Sequence, residues 1–158
     1  MKTKIISRTL LKKKIQPLRK QGKKIVFTNG CFDIIHFGHV SYLEQAKACG
    51  DFLVVGLNDD KSVRKIKGNG RPIVSQNDRA RVLAGLEAVD CVVLFNEDTP
   101  YNLIKTCRPD ILVKGADYSH KEIVGNDLMK EWGGKVTRIR LLKNRSTSNL
   151  IKLLKGQL

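Results

Sequence analysis

The sequence predicts an α/β protein built on a single doubly wound parallel sheet of five strands. Five short runs rich in Val, Ile and Leu recur along the chain, and stretches with helical spacing of apolar residues separate them. The runs lack the alternation typical of a strand with one solvated face, so helices are expected to cover both faces of the sheet. Strands that alternate with helices in this way are joined by right-handed crossovers and run parallel.

The first predicted element is a helix over residues 7–20. Ser7 is its expected N-cap, and an apolar stripe of roughly helical period supports it: Leu10, Leu11, Ile15 and Leu18. Pro17 predicts a break or kink within the helix. The basic segment 1–22 is expected to pack on the body of one domain that spans residues 1–158.

The first strand is predicted at residues 24–27, and it leads into a glycine-bearing loop with two histidines three positions apart. Helical spacing resumes after the loop and ends at Cys49-Gly50. His36 and His39 therefore stand where a helix begins, at N–H groups that lack internal partners and carry a partial positive charge. A phosphate placed there meets N–H donors, imidazoles can add further donors, and Gly38 leaves room between them.

Two other interpretations of this loop remain open. Two histidines three apart on a helix are often only surface residues, and Cys31 with His36 and His39 could form a metal site. Zinc is disfavoured because no fourth ligand lies nearby in the sequence. The chain also lacks the G-x-G-x-x-G and G-x-x-x-x-G-K-[ST] patterns, which disfavours a hydride-transfer fold or a P-loop kinase.

The other strands are predicted at the apolar runs 51–57, 90–95, 111–113 and 136–139. Between the second and third strands, a cationic stretch at residues 61–67 is expected to be a basic loop, either merely solvated or mobile beside a phosphate site.

Further helices are expected after three polar caps. Ser75 or Asn77 caps one helix, and Thr99 caps another that has Pro100 at its first position. Ser146-Thr147-Ser148 precedes the last helix, which carries an apolar stripe.

The polar motifs all follow the carboxyl end of a predicted strand or begin the next helix, and in a parallel sheet those ends share the edge where ligands bind. Most of these residues are types that bind phosphate: His36, His39, Lys65, Lys67, Arg79, Lys114 and the helix opened by Ser146-Thr147. No Ser–His–Asp or Cys–His arrangement is suggested. Phosphoryl or nucleotidyl transfer is therefore predicted, because positioning and charge stabilisation carry most of its catalysis.

The motif G-x-F-D-x-x-H-x-G-H at residues 30–39 resembles the signature of the nucleotidyltransferase superfamily, and within it the cytidylyltransferase-like enzymes. Other segments extend the resemblance over nearly the whole chain to the heptose 1-phosphate adenylyltransferase branch, which includes the adenylyltransferase domain of bifunctional ADP-heptose synthases and its stand-alone counterparts. These segments are 67–72, 78–80, 97–100, 114–118 and 146–148.

This resemblance implies a Rossmann-like nucleotidyltransferase fold and transfer of AMP from ATP to a heptose 1-phosphate. The products would be pyrophosphate and ADP-heptose, a precursor of the lipopolysaccharide core. A cytidylyltransferase for glycerol 3-phosphate or a similar polyol phosphate is the alternative.

The resemblance also implies roles for individual residues. The expected catalytic residues are His36, His39, Lys65 and Lys67, and the expected nucleotide-binding residues are Thr28, Gly30, Cys31, Phe32, Gly38, Arg79, Lys114, Gly115, Asp117, Arg145, Ser146 and Thr147. Related cytidylyltransferases carry an arginine about five residues before the Ser-Thr pair, where this chain has Leu141. Arg145 is a candidate replacement for that arginine.

Two acidic clusters lie at the ligand edge of the predicted sheet. Recognition of sugar hydroxyls favours short acidic and polar side chains on a fixed backbone. Asp33 and Glu97 are therefore expected to contact the sugar, together with Thr99. The competing interpretation of residues 97–99 is a helix cap with favourable dipole charges.

Cofactor and partner expectations follow from the same resemblance. Mg²⁺ should accompany ATP, held mainly by phosphate oxygens and water rather than by a protein metal site. A homodimer is implied, and a separate heptose kinase is needed because this chain shows no kinase domain. No apolar run approaches the length of about 20 residues needed to span a membrane. A signal peptide is not recognisable, and the four cysteines lack C-x-x-C pairing, so a cytoplasmic protein with reduced thiols is expected.

The net charge of +15 is concentrated at the two ends of the chain. Residues 1–24 contain ten Lys and Arg and no acid, and residues 135–158 contain seven and again no acid. Such ends could bind nucleic acid by neutralising phosphates. The aromatic fraction of 6% and the lack of a nucleic-acid-binding motif favour solvated basic faces that help to attract a polyanion such as ATP.

Overall fold

The computed structural model describes residues 4–116 and 123–140, together with residues 147, 150, 151 and 156. Its strands are β1 (Ile25–Gly30), β2 (Phe52–Asn58), β3 (Cys91–Phe95), β4 (Ile111–Gly115) and β5 (Lys135–Ile139). Its helices are α1 (Arg8–Lys20), α2 (Phe37–Lys47), α3 (Asp60–Lys67), α4 (Gln76–Gly85), α5 (Tyr101–Cys107) and α6 (Asn126–Glu131). Among the described residues, no helix is long and apolar enough to cross a membrane.

The five strands form one sheet in the order β3-β2-β1-β4-β5, and every neighbouring pair is parallel. This confirms the predicted doubly wound parallel sheet. From β1 the chain first adds β2 and then β3 on one side of β1. It then crosses over and adds β4 and β5 on the other side of β1. In open parallel sheets the ligand crevice is expected at the carboxyl ends of the strands where the order reverses, and in this sheet that point is between β1 and β4.

Two apolar clusters cover the two faces of the sheet, because successive strand residues point to opposite sides. Ile25 and Phe27 of β1 belong to the cluster that includes side chains of α1, α5 and α6. Val26 belongs to the other cluster, with side chains of α2 and α4. Leu11 and Ile15 of α1 are buried in the first cluster, so the basic amino-terminal helix packs on the sheet as expected.

The amino-terminal residues also cover the outer edge of β3. The N–H of Ile6 donates to the carbonyl of Val92 at 3.0 Å, and the N–H of Val92 donates to the carbonyl of Lys4 at 2.9 Å. An isolated parallel bridge joins Ile5 to Val92. The edge strand therefore has a short extended segment along its free side.

Two expectations about helices were wrong. Helix α1 is not broken at Pro17 but continues through it to Lys20. The proline lies in the last turn, which is completed when the N–H of Gln21 donates to the carbonyls of Pro17 and Leu18. The cationic stretch 61–67 is helix α3 rather than a loop: its N-cap Asp59 accepts from the N–H of Ser62 at 2.7 Å. Basic residues in its last turn are favoured by the helix dipole.

Cap predictions had mixed outcomes. Ser7 and Ser75 are the N-caps of α1 and α4, as expected. Thr99 is not a cap, because α5 begins after Pro100, which makes no side-chain capping bond. Helix α6 was not predicted. Of the predicted last helix, Thr147, Leu150 and Ile151 are helical, and its other residues lie outside the described part of the chain.

All four cysteines are free thiols, which agrees with the absence of a disulfide framework. Cys107 ends α5 and Cys91 begins β3, as expected. Cys49 lies in the turn after α2, where the helical spacing was expected to end.

Candidate functional site

The His loop, residues 30–39, connects β1 to α2 at the crevice. His36 is the N-cap of α2, and its Nδ1 accepts a hydrogen bond from the N–H of Gly38 at 3.1 Å. Because Nδ1 is the acceptor, the proton of the neutral ring lies on Nε2. The sequence placed the histidines at a helix start, and the structure shows one of them as the cap itself.

The two imidazoles lie next to each other, with ring centroids 4.0 Å apart and an interplanar angle of 34°. Burial and the neighbouring His36 lower the pKa of His39 to about 4, so His39 is neutral at pH 7. Its buried Nδ1 has no hydrogen-bond partner among the described residues. Leaving such an atom unpaired costs about 1–3 kcal/mol, so this nitrogen is a natural contact point for a ligand or water.

The backbone of the His loop adopts a conformation that side-chain-bearing residues rarely take. Phe32 has a φ of 44° and is buried, and strain of this kind concentrates at functional sites. A Cβ added at Gly30 would lie 3.0 Å from the Phe32 ring, so any larger residue there would require that ring to shift by a few tenths of an ångström. The ring of Phe32 in turn packs 5.4 Å from that of His39.

Lys114 brings a positive charge to the other side of the crevice. It lies near the end of β4, beside β1, and its Nζ donates to Oδ1 of Asn29. Burial lowers the pKa of Lys114 to about 8, so most of the molecules carry this charge at pH 7. Gly115, the last residue of β4, is also buried.

Two further cations of the predicted site, Lys65 and Lys67, are exposed in the last turn of α3. Nζ of Lys65 lies 2.5 Å from Oδ1 of Asp98, and both side chains are mostly exposed, at 67% and 71%. Such a pair stabilises a protein by at most about 1 kcal/mol, so Lys65 can readily exchange partners. Lys67 is close enough to Cys31 to lower its thiol pKa, although burial dominates and raises that pKa.

Three predicted ligand residues direct their polar groups into the protein. The Thr28 hydroxyl is buried and lies 2.8 Å from the hydroxyl of Tyr42. Arg79 is 1% exposed and donates to groups of four other residues. Asp33 is 3% exposed and accepts from two backbone N–H groups and from Arg71.

The second acidic cluster also has internal partners. Both carboxylate oxygens of Glu97 accept from Nη2 of Arg8, at 2.6 and 2.8 Å. Burial alone would raise the pKa of Glu97, but the hydrogen bond and charge of Arg8, together with backbone hydrogen bonds from residues 96 and 97, outweigh it and the pKa is lowered. Thr99 is exposed just before α5.

The carboxyl-terminal part of the predicted site is only partly described. Asp117, Arg145 and Ser146 lie outside the described residues. Thr147 is described, and its hydroxyl donates to the carbonyl of Ile34 at 3.1 Å. The predicted second phosphate-binding element therefore reaches the His loop at this position.

Two residues that sequence reasoning did not assign lie at the site. Asn29 holds Lys114, and Arg71 binds Asp33. A polar residue near the end of an apolar strand was an available signal for Asn29. Arg71 stood within a segment that supported the family resemblance, but nothing in the sequence indicated its partner.

Metal ligation by the protein itself is not supported in the part of the chain that is described, which has no group of three or more His, Cys, Asp and Glu side chains arranged to hold an ion. The proposed zinc alternative with Cys31, His36 and His39 is thus not found. The crevice instead presents imidazoles, a helix start and lysines, a combination suited to binding phosphate groups.

Comparison with known proteins gives a consistent result. A family model described as cytidylyltransferase-like matches residues 27–152. The Bifunctional protein HldE of Wolinella succinogenes is 59% identical over 152 residues, which is 96% of this chain and 31% of that protein. The HldE of Methylobacillus flagellatus is 55% identical over 141 residues, covering 89% of this chain and 29% of that protein. The chain thus spans about a third of the length of these curated relatives.

A solved structure shows the same architecture. The lipopolysaccharide core biosynthesis protein from Thermoplasma volcanium GSS1 is 31% identical, with a TM-score of 0.64. The match covers 78% of this chain and 100% of that one.

Proposed function

This chain belongs to the cytidylyltransferase-like family, and we propose that within it the protein transfers AMP from ATP to a heptose 1-phosphate, giving ADP-heptose and pyrophosphate. The observation that carries this proposal is the pair of adjacent imidazoles at the start of α2, one of which has a buried nitrogen with no partner among the described residues. The 59% identity to HldE supports the heptose acceptor. The similarity to a lipopolysaccharide core biosynthesis protein supports a product used in that core.

The reaction needs positioning more than a strong base. An oxygen of the acceptor phosphate attacks the α-phosphorus of ATP in line, and a new P–O bond forms. The bond between the α- and β-phosphates breaks, and pyrophosphate leaves with the electron pair. Negative charge grows on the α-phosphate oxygens and on the leaving group, so donors placed there stabilise the transition state more than the ground state.

Nearby side chains supply those donors. His36 presents Nε2, the ring nitrogen that does not bind Gly38, and His39 adds a second imidazole beside it. Lys114 stabilises the nucleotide from the β4 side. Lys65 and Lys67 would meet the acceptor phosphate and the leaving pyrophosphate, and Lys65 would exchange the Asp98 carboxylate for a phosphate oxygen. Mg²⁺ enters with ATP as part of the substrate, ligated by triphosphate oxygens and water.

The residues proposed to recognise the sugar differ in one respect from those expected from the sequence. Asp33 was expected to bind sugar hydroxyls, but both of its carboxylate oxygens accept bonds from residues 71–74 and its side chain is 1% exposed. We therefore keep the proposed sugar contacts only at residues 97–99, where Glu97 binds Arg8 but its side chain is still 28% exposed. We keep the homodimer, the cytoplasmic location and the separate heptose kinase as parts of this proposal.

The test is pyrophosphate release over a panel of nucleotides and acceptors. ATP with heptose 1-phosphate should react fastest, and glucose 1-phosphate serves as the matched sugar control. Fast release from CTP with glycerol 3-phosphate, and none from ATP with the heptose, would replace the proposal by the polyol alternative. If no pair releases pyrophosphate, the protein is not a transferase of this kind.

A further inference from the structure

One buried arginine joins four separate parts of the chain. Arg79 lies on α4 and is 1% exposed. Its Nη1 donates to the carbonyl of Cys31 in the His loop at 2.5 Å and to that of Asn58 at the end of β2 at 2.9 Å. Nη2 donates to Oδ1 of Asp60 at 2.7 Å, and Nε donates to the carbonyl of Val74 at 3.0 Å. A buried guanidinium with this many acceptors fixes their relative positions.

Asp33 makes a second connection at the same place. Its carboxylate accepts from the N–H of Ile73 at 2.8 Å, from the N–H of Val74 at 2.9 Å and from Nε of Arg71 at 2.6 Å. Burial would raise the pKa of Asp33, but these three donors hold it below its usual value. The peptide groups of Val74 are thus bound on both sides, the N–H by Asp33 and the carbonyl by Arg79.

These contacts hold both ends of one stretch, residues 60–74, which we call the lysine lobe. Its first residue, Asp60, binds Arg79 through its side chain, and its N–H donates to Oε1 of Gln76 at 2.9 Å. Its last residue, Val74, is held as described. Between the two ends lie α3 with Lys65 and Lys67, and then the exposed residues Gly68 and Gly70, whose φ angles are 90° and 84°.

We propose that Asp33 and Arg79 are positioning residues that hold the lysine lobe against the His loop and so set Lys67 in place relative to the two histidines. This inference rests on the proposed transfer reaction and deepens it. Neither residue contacts substrate, because their polar groups are engaged inside the protein. Their effect on turnover passes through the lysine lobe.

A double-mutant cycle tests this route. Asp33→Asn keeps the size of the side chain but loses its charge, and Lys67→Ala removes the cation that it is proposed to position. Each variant alone should lower kcat by about tenfold or more, whereas the double variant should be no more than about threefold slower than the slower single variant. Effects that multiply would show that Asp33 does not act through Lys67 and would overturn the proposal.

Two controls sharpen the cycle. Asp33→Asn combined with Lys114→Ala should give multiplying effects, because Lys114 lies on β4 outside the lysine lobe. Arg79→Lys, which keeps a positive charge but loses the guanidinium fork, replaces Asp33→Asn if that variant does not fold. Circular dichroism establishes that each variant is folded.

A second measurement does not depend on activity. The lysine lobe has exposed trypsin sites at Lys61, Arg64 and Lys65, and α1 has comparable sites at Lys12 and Lys13. In folded Asp33→Asn, cleavage within the lobe should be about tenfold faster, and cleavage in α1 should keep its wild-type rate. Unchanged cleavage in the lobe would overturn the positioning role. Absence of pyrophosphate release from the wild-type protein would instead overturn the proposed function alone.

Discussion

The two ends of the sheet use polar side chains in opposite ways. At the amino ends of the strands, three carboxylates each accept the N–H of a residue at or next to a strand start. Asp51 binds the N–H of Lys24 at 2.8 Å, Asp110 that of Ile25 at 2.7 Å and Asp90 that of Leu53 at 2.7 Å. At the carboxyl ends, a buried nitrogen of His39 has no partner in the described part of the chain.

This difference separates stability from function. A carboxylate that accepts backbone N–H groups already has its hydrogen bonds satisfied within the protein, so it has few acceptor positions available to a ligand. A buried imidazole nitrogen without a partner, as His39 has among the described residues, costs stability and is available to bind a ligand. Asp33 is instructive because it lies at the carboxyl end yet resembles the amino-end acids in its bonding. Location at the ligand edge is therefore insufficient to identify a ligand residue.

The largest effect is expected from the imidazole pair. His36→Ala or His39→Ala should lower turnover by about 100-fold or more, because each removes a donor to charge that develops in the transition state. Gln45→Ala, on the exposed face of the same helix α2, is the control and should turn over normally. Near-wild-type turnover in a histidine variant with a normal circular dichroism spectrum would remove that histidine from the catalytic set.

A smaller, pH-dependent effect is expected at Lys114. Its pKa of about 8 means that it loses its charge as the pH rises through that value, so the KM for ATP should rise above it, by about tenfold per pH unit at most. Lys114→Arg stays charged and should keep a flat KM between pH 7 and 9.5. A wild-type KM that does not change over this range would mean that Lys114 does not bind the nucleotide.

The same pKa has an opposite consequence for stability. The unfolded protein holds the Lys114 proton up to a pKa near 10.5, so it binds more protons than the folded protein above about pH 8. The contribution of this group to the free energy of unfolding therefore increases as the pH rises from about 8 to 10.5.

At the amino end, the expected effect is on stability alone. Asp90→Ala should lower the free energy of unfolding by about 1–3 kcal/mol, because the N–H of Leu53 loses its acceptor. The exposed residue Glu87 provides the control substitution Glu87→Ala, which should change little. Turnover per folded molecule should be unaffected in both, and a large loss of kcat in Asp90→Ala would break the separation between the two ends.

The smallest effect is expected from the basic ends. Neutralising Lys12, Lys13 and Lys14, or removing residues 152–158, should change saturating turnover by less than about twofold and weaken ATP capture only at low salt. Tight binding of a nucleic-acid duplex at physiological salt, lost in these variants, would revive the alternative of a nucleic-acid partner.

The sheet and the His loop were predictable because their signals are local. Apolar runs marked the strands, and a strand, a glycine and two spaced histidines marked a helix start. Helix α3 was missed because most of its residues are charged and only one buried residue, Val63, is apolar, so no apolar periodicity is visible. Its N-cap Asp59 was available as a signal. Helix α6 is one and a half turns long, too short for a periodic pattern to stand out.

The roles of Asp33 and Arg79 were beyond the reach of sequence reasoning for a different reason. Residue type and position placed both at the ligand edge, which is correct. The partners of Asp33 include backbone groups about 40 residues away, and those of Arg79 include the carbonyls of Cys31 and Asn58 in two distant segments. Such partners depend on tertiary packing and leave no mark in local spacing.

The short segment that lies along β3 has a practical consequence for handling this protein. Residues 4–6 occupy the outer side of an otherwise open strand, and an uncovered strand edge is a template for another chain. A truncated form that starts at Ser7 would present that edge in every molecule, so self-association and loss of solubility are expected on concentration. Purification tags and fusion partners are better joined through a linker that leaves Lys4, Ile5 and Ile6 free to pair.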